Sequence, residues 1–241
     1  MIWRAVSAAA MIGLSTIPSL LSVAAMQTRP RVPEVRFDSL AFRGAAINNP
    51  LFPLRPGTIF VFKVTDGTGT SVDSITVTRD TKRIAGVTAV VVHDRLSRGR
   101  AIIEDTFDWY AQDTTGTVWY LGEDTKEYRA GKVISATGSW QAGVEGAVAG
   151  IVMKAHPQVG DTYRQEYRRG VAEDMGRVVS ITDTVTVRAG HFAQCTTTED
   201  SSPLEPKVRE RKTYCLNVGL VRERTIAGGS ERSELIAVAR P

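Results

Sequence analysis

The chain has 241 residues, with 30 Lys and Arg against 26 Asp and Glu, for a formal charge of +4. Acidic and basic residues interleave, and no basic stripe is interleaved with aromatics, so nucleic acid is a poor partner. Beyond the first 25 residues no stretch is apolar enough to cross a bilayer as a helix.

The chain opens MIWRAVSAAAMIGLSTIPSLLSVAA. Arg4 precedes an uncharged run from Ala5 to Ala25 that ends in small residues, the pattern of a secretory signal. Ser7, Ser15, Thr16, Pro18, Ser19 and Ser22 dilute the run, which favours cleavage near Ala25 over a retained anchor. The mature chain is expected in the periplasm or outside the cell, without a membrane span. Residues 26–49 are Pro- and Arg-rich and read as an extended leader on the folded body.

From Pro50 onward, short runs rich in Val, Thr, Ile and aromatics follow one another, among them TIFVFKV, SITVTRD, TAVVVHD, TVWYLGE and DTVTVRA. Turn-forming pieces such as DGTG, IAGV, SRGR, DTTG and RAGK separate them. This predicts an all-β domain over 50–241. Only Ala142–Met153 reads as able to hold a helical turn, and its glycines oppose a long one. A shift of about 104 residues lays Gly57 on Gly160, Phe60 on Tyr163, Gly86 on Gly190 and Tyr110 on Tyr214. The reading is an internal duplication, about 50–140 and 154–238, of antiparallel strands merged into a curved sheet, sandwich or partly open barrel.

Six aromatics fall between Phe107 and Tyr128. Asp113-Thr114-Thr115-Gly116 suits a hairpin turn that pairs Asp113 with Thr117, and hence Ala111 with Trp119, Tyr110 with Tyr120 and Trp109 with Leu121. By alternation Trp109, Ala111, Trp119 and Leu121 form an apolar face, expected to be core. Asp108, Tyr110, Gln112, Val118 and Tyr120 form an amphipathic face for water, a second layer or a ligand.

Cys195 and Cys215 are the only cysteines. A hairpin centred on Glu205 sets them opposite each other, with Thr197 opposite Thr213 and Glu199 opposite Arg211. A disulfide is then permitted in an exported chain, with two buried thiols as the alternative. His93, His156 and His191 are isolated and lack metal-ligand spacing. No nucleophile elbow or phosphate-cradling glycine loop is present. The carboxylates Glu104, Asp105 and Asp108, and the pairs Glu123-Asp124 and Glu173-Asp174, read as solvated edge charge. No catalytic residue, metal or cofactor follows from these patterns.

The stretches NPLFPLRPGT, EDTFDWYAQDTTGTVWYLGEDTKEYRAGKV, GSWQAGVEGAVAGIVM and GDTYRQEYRRGVAEDM resemble those of a widespread uncharacterised family of exported bacterial all-β proteins. The likeness spans Asn49 to Leu235, and the family brings no activity to transfer. Its usual pattern implies other residues at His93, His156, His191 and Cys215, which speaks against a shared catalytic histidine or a family-wide disulfide. More distantly, the strand pattern is similar to curved-sheet periplasmic carriers of lipids and lipoproteins. The expected function is therefore non-catalytic binding of an apolar or amphipathic small molecule such as a lipid. Tyr110, Tyr120, Tyr128 and Trp140 are the candidate lining residues. The alternative is a structural module that meets another protein of the cell envelope, and a hydrolase ranks last.

Overall fold

A computed structural model describes residues 36–241. The expected signal segment, its cleavage near Ala25 and the first part of the leader lie outside the described residues. Among the described residues, fifteen strands make up the body. The first eight are β1 (Ile59–Asp66), β2 (Gly69–Ile84), β3 (Val87–Arg98), β4 (Ala101–Gln112), β5 (Val118–Arg129), β6 (Lys132–Ser135), β7 (Trp140–Gln141) and β8 (Val148–Met153). The others are β9 (Thr162–Arg164), β10 (Glu166–Tyr167), β11 (Met175–Val187), β12 (Gly190–Ser201), β13 (Arg209–Cys215), β14 (Gly219–Ala227) and β15 (Arg232–Ala239). Among the described residues the only helical element is a 3-10 turn at Ser39–Ala41. The stretch from Ala142 holds turns and then β8, because its valines and isoleucine pack better on a pleated surface than in a glycine-broken helix.

All strands belong to one sheet, in the order β10-β8-β5-β4-β3-β2-β1-β15-β14-β13-β12-β11-β9, with β6 and β7 also on β5. The pairings are antiparallel throughout. The two ends of this order, β9 and β10, are consecutive pieces of one segment with Gln165 between them. The sheet therefore curls into a partly open barrel whose edges meet along Thr162–Tyr167. Close approach at this seam needs a residue without a side chain. A Cβ on Gly150 would lie 2.3 Å from the Gln165 carbonyl.

The segment before β1 closes one end of the roll. Asn49 ties it to the β4–β5 hairpin: its N–H donates to Gln112 Oε1 at 2.8 Å, and its side-chain amide donates to the Gly116 carbonyl at 2.9 Å. The Asn217 N–H donates to the Pro50 carbonyl at 2.6 Å. Phe52 then enters the interior, with its ring centroid 5.4 Å from Tyr110 and 6.2 Å from Tyr214. On the outer face, Phe37 and Phe42 cover Trp119 at 5.5 and 6.2 Å.

The hairpin turns as its residues require: the Asp113 N–H donates to the Thr117 carbonyl, and the Asp113 carboxylate accepts from Thr115 and Thr117. Ala111 pairs with Trp119 and Tyr110 with Tyr120, as the turn register predicts. Trp109, however, stands opposite Gly122 and not Leu121, because a bulge interrupts the ladder between Trp109 and Tyr110. Gly122 sits at φ +134°, and a Cβ there would lie 2.2 Å from the Trp140 carbonyl oxygen. Only glycine permits the bulge and the neighbouring β7 together.

Candidate functional site

Inward-facing cross-strand pairs on β4 and β5 change character along the roll. From the plugged end they run Tyr110–Tyr120, Asp108–Glu123, Thr106–Thr125 and Glu104–Glu127. The tyrosines stack at 4.8 Å with planes 18° apart, and neither is exposed. Tyr120 donates its hydroxyl to Asp108 Oδ1 at 2.5 Å. The next row holds a Thr106–Thr125 hydroxyl bond of 2.7 Å. Across the interior, β12, β13 and β14 follow the same course, from Thr196–Tyr214 to Thr198–Lys212 and Asp200–Glu210, with Lys212 also opposite Glu223.

The polar rows meet at a cavity of about 100 Å³ at the open end. Its acidic wall includes Glu123, Glu166, Asp174, Asp200, Glu205 and Glu210, and its apolar wall Val171, Ala172, Leu204 and Val208. Glu123 is 6% exposed and Asp200 1%, and Glu123 Oε2 has no hydrogen-bond partner. Lys212, fully buried beside this wall, holds its ammonium 3.4 Å from both Asp200 Oδ2 and Glu223 Oε1. These are ion pairs longer than good charge-assisted hydrogen bonds.

Loss of water sets the chemistry of the cluster. Burial pushes the Glu123, Glu166, Asp174, Asp200 and Glu210 carboxyls above their ordinary range. Neighbouring carboxylates push all but Asp200 further, while the Lys212 ammonium pulls Asp200 back. Burial likewise raises Glu223 to about 8, against the pull of the Lys212 ammonium. Burial draws Lys212 down, but Glu223 and Asp200 outweigh it and hold the ammonium charged. The site can thus accept a positive charge or share protons among its carboxyls. Among the described residues no group of His, Cys, Asp and Glu has the arrangement of a metal centre.

The predicted lining residues sit beside this cavity and do not line it. Tyr110 and Tyr120 fill the interior behind it, and Tyr128 is half-buried near the end of β5. Trp140 is buried, packs edge-on against Tyr120 at 5.4 Å and donates its indole N–H to Glu166 Oε2 at 2.9 Å. Three carboxylates read as solvated edge charge behave otherwise: Asp108 and Glu123 are buried, and Asp174 is half-buried on the cavity wall. They occupy the inner face of the roll, where strands distant in sequence remove the water. The apolar face is buried as expected. Trp119 is covered by the leader, and Trp109 carries the Lys82 ammonium 3.2 Å above its ring. Cys195 and Cys215 pair directly and are joined by a disulfide, with Thr197 opposite Thr213 and Glu199 opposite Arg211.

No family model matches the chain, and no curated protein does. Among solved structures, two are similar to this chain. One is a candidate exported protein with a YmcC-like fold from Bacteroides fragilis, at 16% identity and a TM-score of 0.47 over 78% of this chain and 98% of that one. The other is a candidate lipoprotein from Parabacteroides distasonis, at 15% identity and a TM-score of 0.43 over 82% of this chain and 100% of that one.

Proposed function

We infer that this is an exported, non-catalytic binding protein whose amphipathic small-molecule ligand enters the open end of the rolled sheet. One observation carries the reading: a cavity with buried carboxyls on one wall and aliphatic side chains on the other. A barrel selected only for stability fills its interior with apolar groups, since burying carboxyls without full partners is costly. The signal-like opening of the sequence and the disulfide support export.

The neighbour order β1-β2-β3-β4-β5 has a counterpart in β9-β11-β12-β13-β14, which supports the proposed duplication. Under the alignment of Tyr110 with Tyr214, Asp108 corresponds to Lys212, and after a one-residue gap at the turn, which sets Gly116 on Gly219, Tyr120 corresponds to Glu223. The hydrogen-bonded pair of the first half stands where the second half has an ion pair. Such divergence on the inner face fits a site specialised for binding.

Native mass spectrometry of protein purified from its host, together with uptake of a fluorescent amphipathic probe, tests the reading. A bound small molecule and saturable uptake are expected. An empty protein that takes up no probe would overturn it.

A further inference from the structure

On the outer face of β11–β15, arginines stand opposite one another. One cross-strand row runs Arg177–Glu199–Arg211–Arg224–Arg232–Thr65. Its four arginines are exposed, and Arg222 adds a guanidinium from the next row. Glu199 and Glu234 pair with Arg211 and Arg232, whereas Arg177, Arg222 and Arg224 make no ion pair among the described residues. Like charges set directly opposite each other destabilise a sheet, so folding does not explain Arg211–Arg224–Arg232. The same roll avoids the arrangement elsewhere. The outer row of β2–β5 runs Ser74–Arg95–Asp105–Lys126, alternating in sign, with Arg95 2.9 Å from Asp105. No run of basic residues marks the face in the sequence, and strand register alone assembles it.

A second feature borders the row. The β12–β13 and β14–β15 turns lie against each other, since a Cβ on Gly228 would stand 2.6 Å from the Lys207 carbonyl oxygen. The first turn and the end of β14 expose Leu204, Lys207 and Ile226. Large aliphatic side chains are thus presented to solvent beside the arginines.

We propose that this face docks on an anionic phospholipid membrane, with the guanidinium groups on lipid phosphates and Leu204 and Ile226 at the acyl boundary. The proposal goes beyond the binding reading and holds whether or not the cavity is filled. Three anionic partners compete, and the surface separates them. A free phosphate needs one concave pocket, but these arginines span five strands, roughly 20 Å at the ordinary strand spacing. Nucleic acid offers phosphates in such an array but no apolar layer to receive aliphatic side chains. An anionic bilayer offers both, and forked guanidinium groups match its phosphates. Leu204 also lines the cavity, so docking sets the open end of the roll against the bilayer.

The test is co-sedimentation of the protein purified from its host with vesicles of phosphatidylcholine, with and without a third phosphatidylglycerol, at low and high salt. Binding should favour the anionic vesicles at least tenfold at low salt and weaken as salt screens it. Arg224→Gln should cost roughly fivefold in affinity, and Arg211→Gln/Arg224→Gln at least tenfold. Arg224→Gln removes like-charge repulsion, so its melting temperature should hold or rise and its lost binding is not a lost fold. Arg79→Gln/Arg188→Gln, the same charge change at exposed positions elsewhere, should cost less than twofold. Leu204→Ser/Ile226→Ser should weaken vesicle binding at least threefold and leave binding of soluble polyphosphate unchanged. Equal binding to the two kinds of vesicle, or equal losses from the two arginine pairs, would overturn the proposal. Polyphosphate binding as tight as vesicle binding, with no effect of Leu204→Ser/Ile226→Ser, would also overturn it and mark a general polyanion surface.

Discussion

Trp140 donates its indole N–H to Glu166 at 2.9 Å, joining the aromatic interior of the roll to the acidic wall of its cavity. The same ring packs edge-on against Tyr120. Trp140→Phe keeps much of that packing and deletes the donor, leaving a buried carboxyl oxygen without it. A loss of about 1–3 kcal/mol in urea denaturation is expected. In Trp140→Phe/Glu166→Leu, where both polar partners go, much of that loss should return.

Lys212 sits between Asp200 and Glu223 with no exposure at all. Removing one member of a buried ion cluster costs more than replacing the whole, because the remaining charges keep their desolvation penalty. Lys212→Met should lower stability by about 3–5 kcal/mol. The loss should be smaller at pH 5 than at pH 8, since the two carboxyls can take up protons in compensation. Adding Asp200→Asn and Glu223→Gln to Lys212→Met should restore part of the stability at pH 8.

The raised carboxyls fix the sign of the pH dependence. Glu223 moves from an ordinary 4.5 to about 8 on folding, so between those values the folded chain holds a proton that the unfolded chain has released. Stability therefore falls as pH rises through this window. Glu123, Glu166, Asp200 and Glu210 act in the same direction. Asp66, lowered by its bond from the Thr68 hydroxyl, acts oppositely and only near or below its ordinary 3.8. Melting temperature should decline from pH 5 to pH 8.5, and Glu223→Gln should flatten the slope. A melting temperature that rises over that range would contradict the assignment.

Local chemistry made much of the fold legible. Asp113 and Gly116 specify their turn, and the turn sets Tyr110 opposite Tyr120. Sensible neighbours at Thr197–Thr213 and Glu199–Arg211 likewise set Cys195 opposite Cys215. The bulge at Trp109 was hidden, because it depends on what Gly122 allows β7 to approach. The acidic cavity was hidden for a deeper reason. Alternation shows that Asp108 and Tyr110 share a face, but not that the face becomes the inside. That follows from β12 and β13, about a hundred residues later, curling over β4 and β5. The same lack of long-range information made Glu123 and Asp174 look solvated.

The disulfide closes the hairpin of β12 and β13, whose turn supplies Leu204, Glu205 and Val208 to the cavity. The two cysteines are separated by 20 positions, so their crosslink should contribute about 3 kcal/mol by restricting the unfolded chain. The double substitution Cys195→Ala/Cys215→Ala should show that loss in urea. Because the bond lies at the far end of the hairpin from the cavity, affinity for the ligand should change less than twofold.

Tyr110 and Tyr120 stack on each other and are equally buried, yet their hydroxyls differ. Tyr120 donates to Asp108 at 2.5 Å, whereas the Tyr110 hydroxyl makes no bond of hydrogen-bond geometry. Removing an unpaired buried hydroxyl relieves a desolvation penalty, while removing a paired one strands its partner. Tyr110→Phe should therefore be neutral or stabilising, and Tyr120→Phe should cost about 1–3 kcal/mol. Denaturation curves of the two variants discriminate directly, since ring packing is nearly the same in both. Equal effects would mean that the Asp108 bond contributes nothing, and that the pair serves only as aromatic filling behind the cavity.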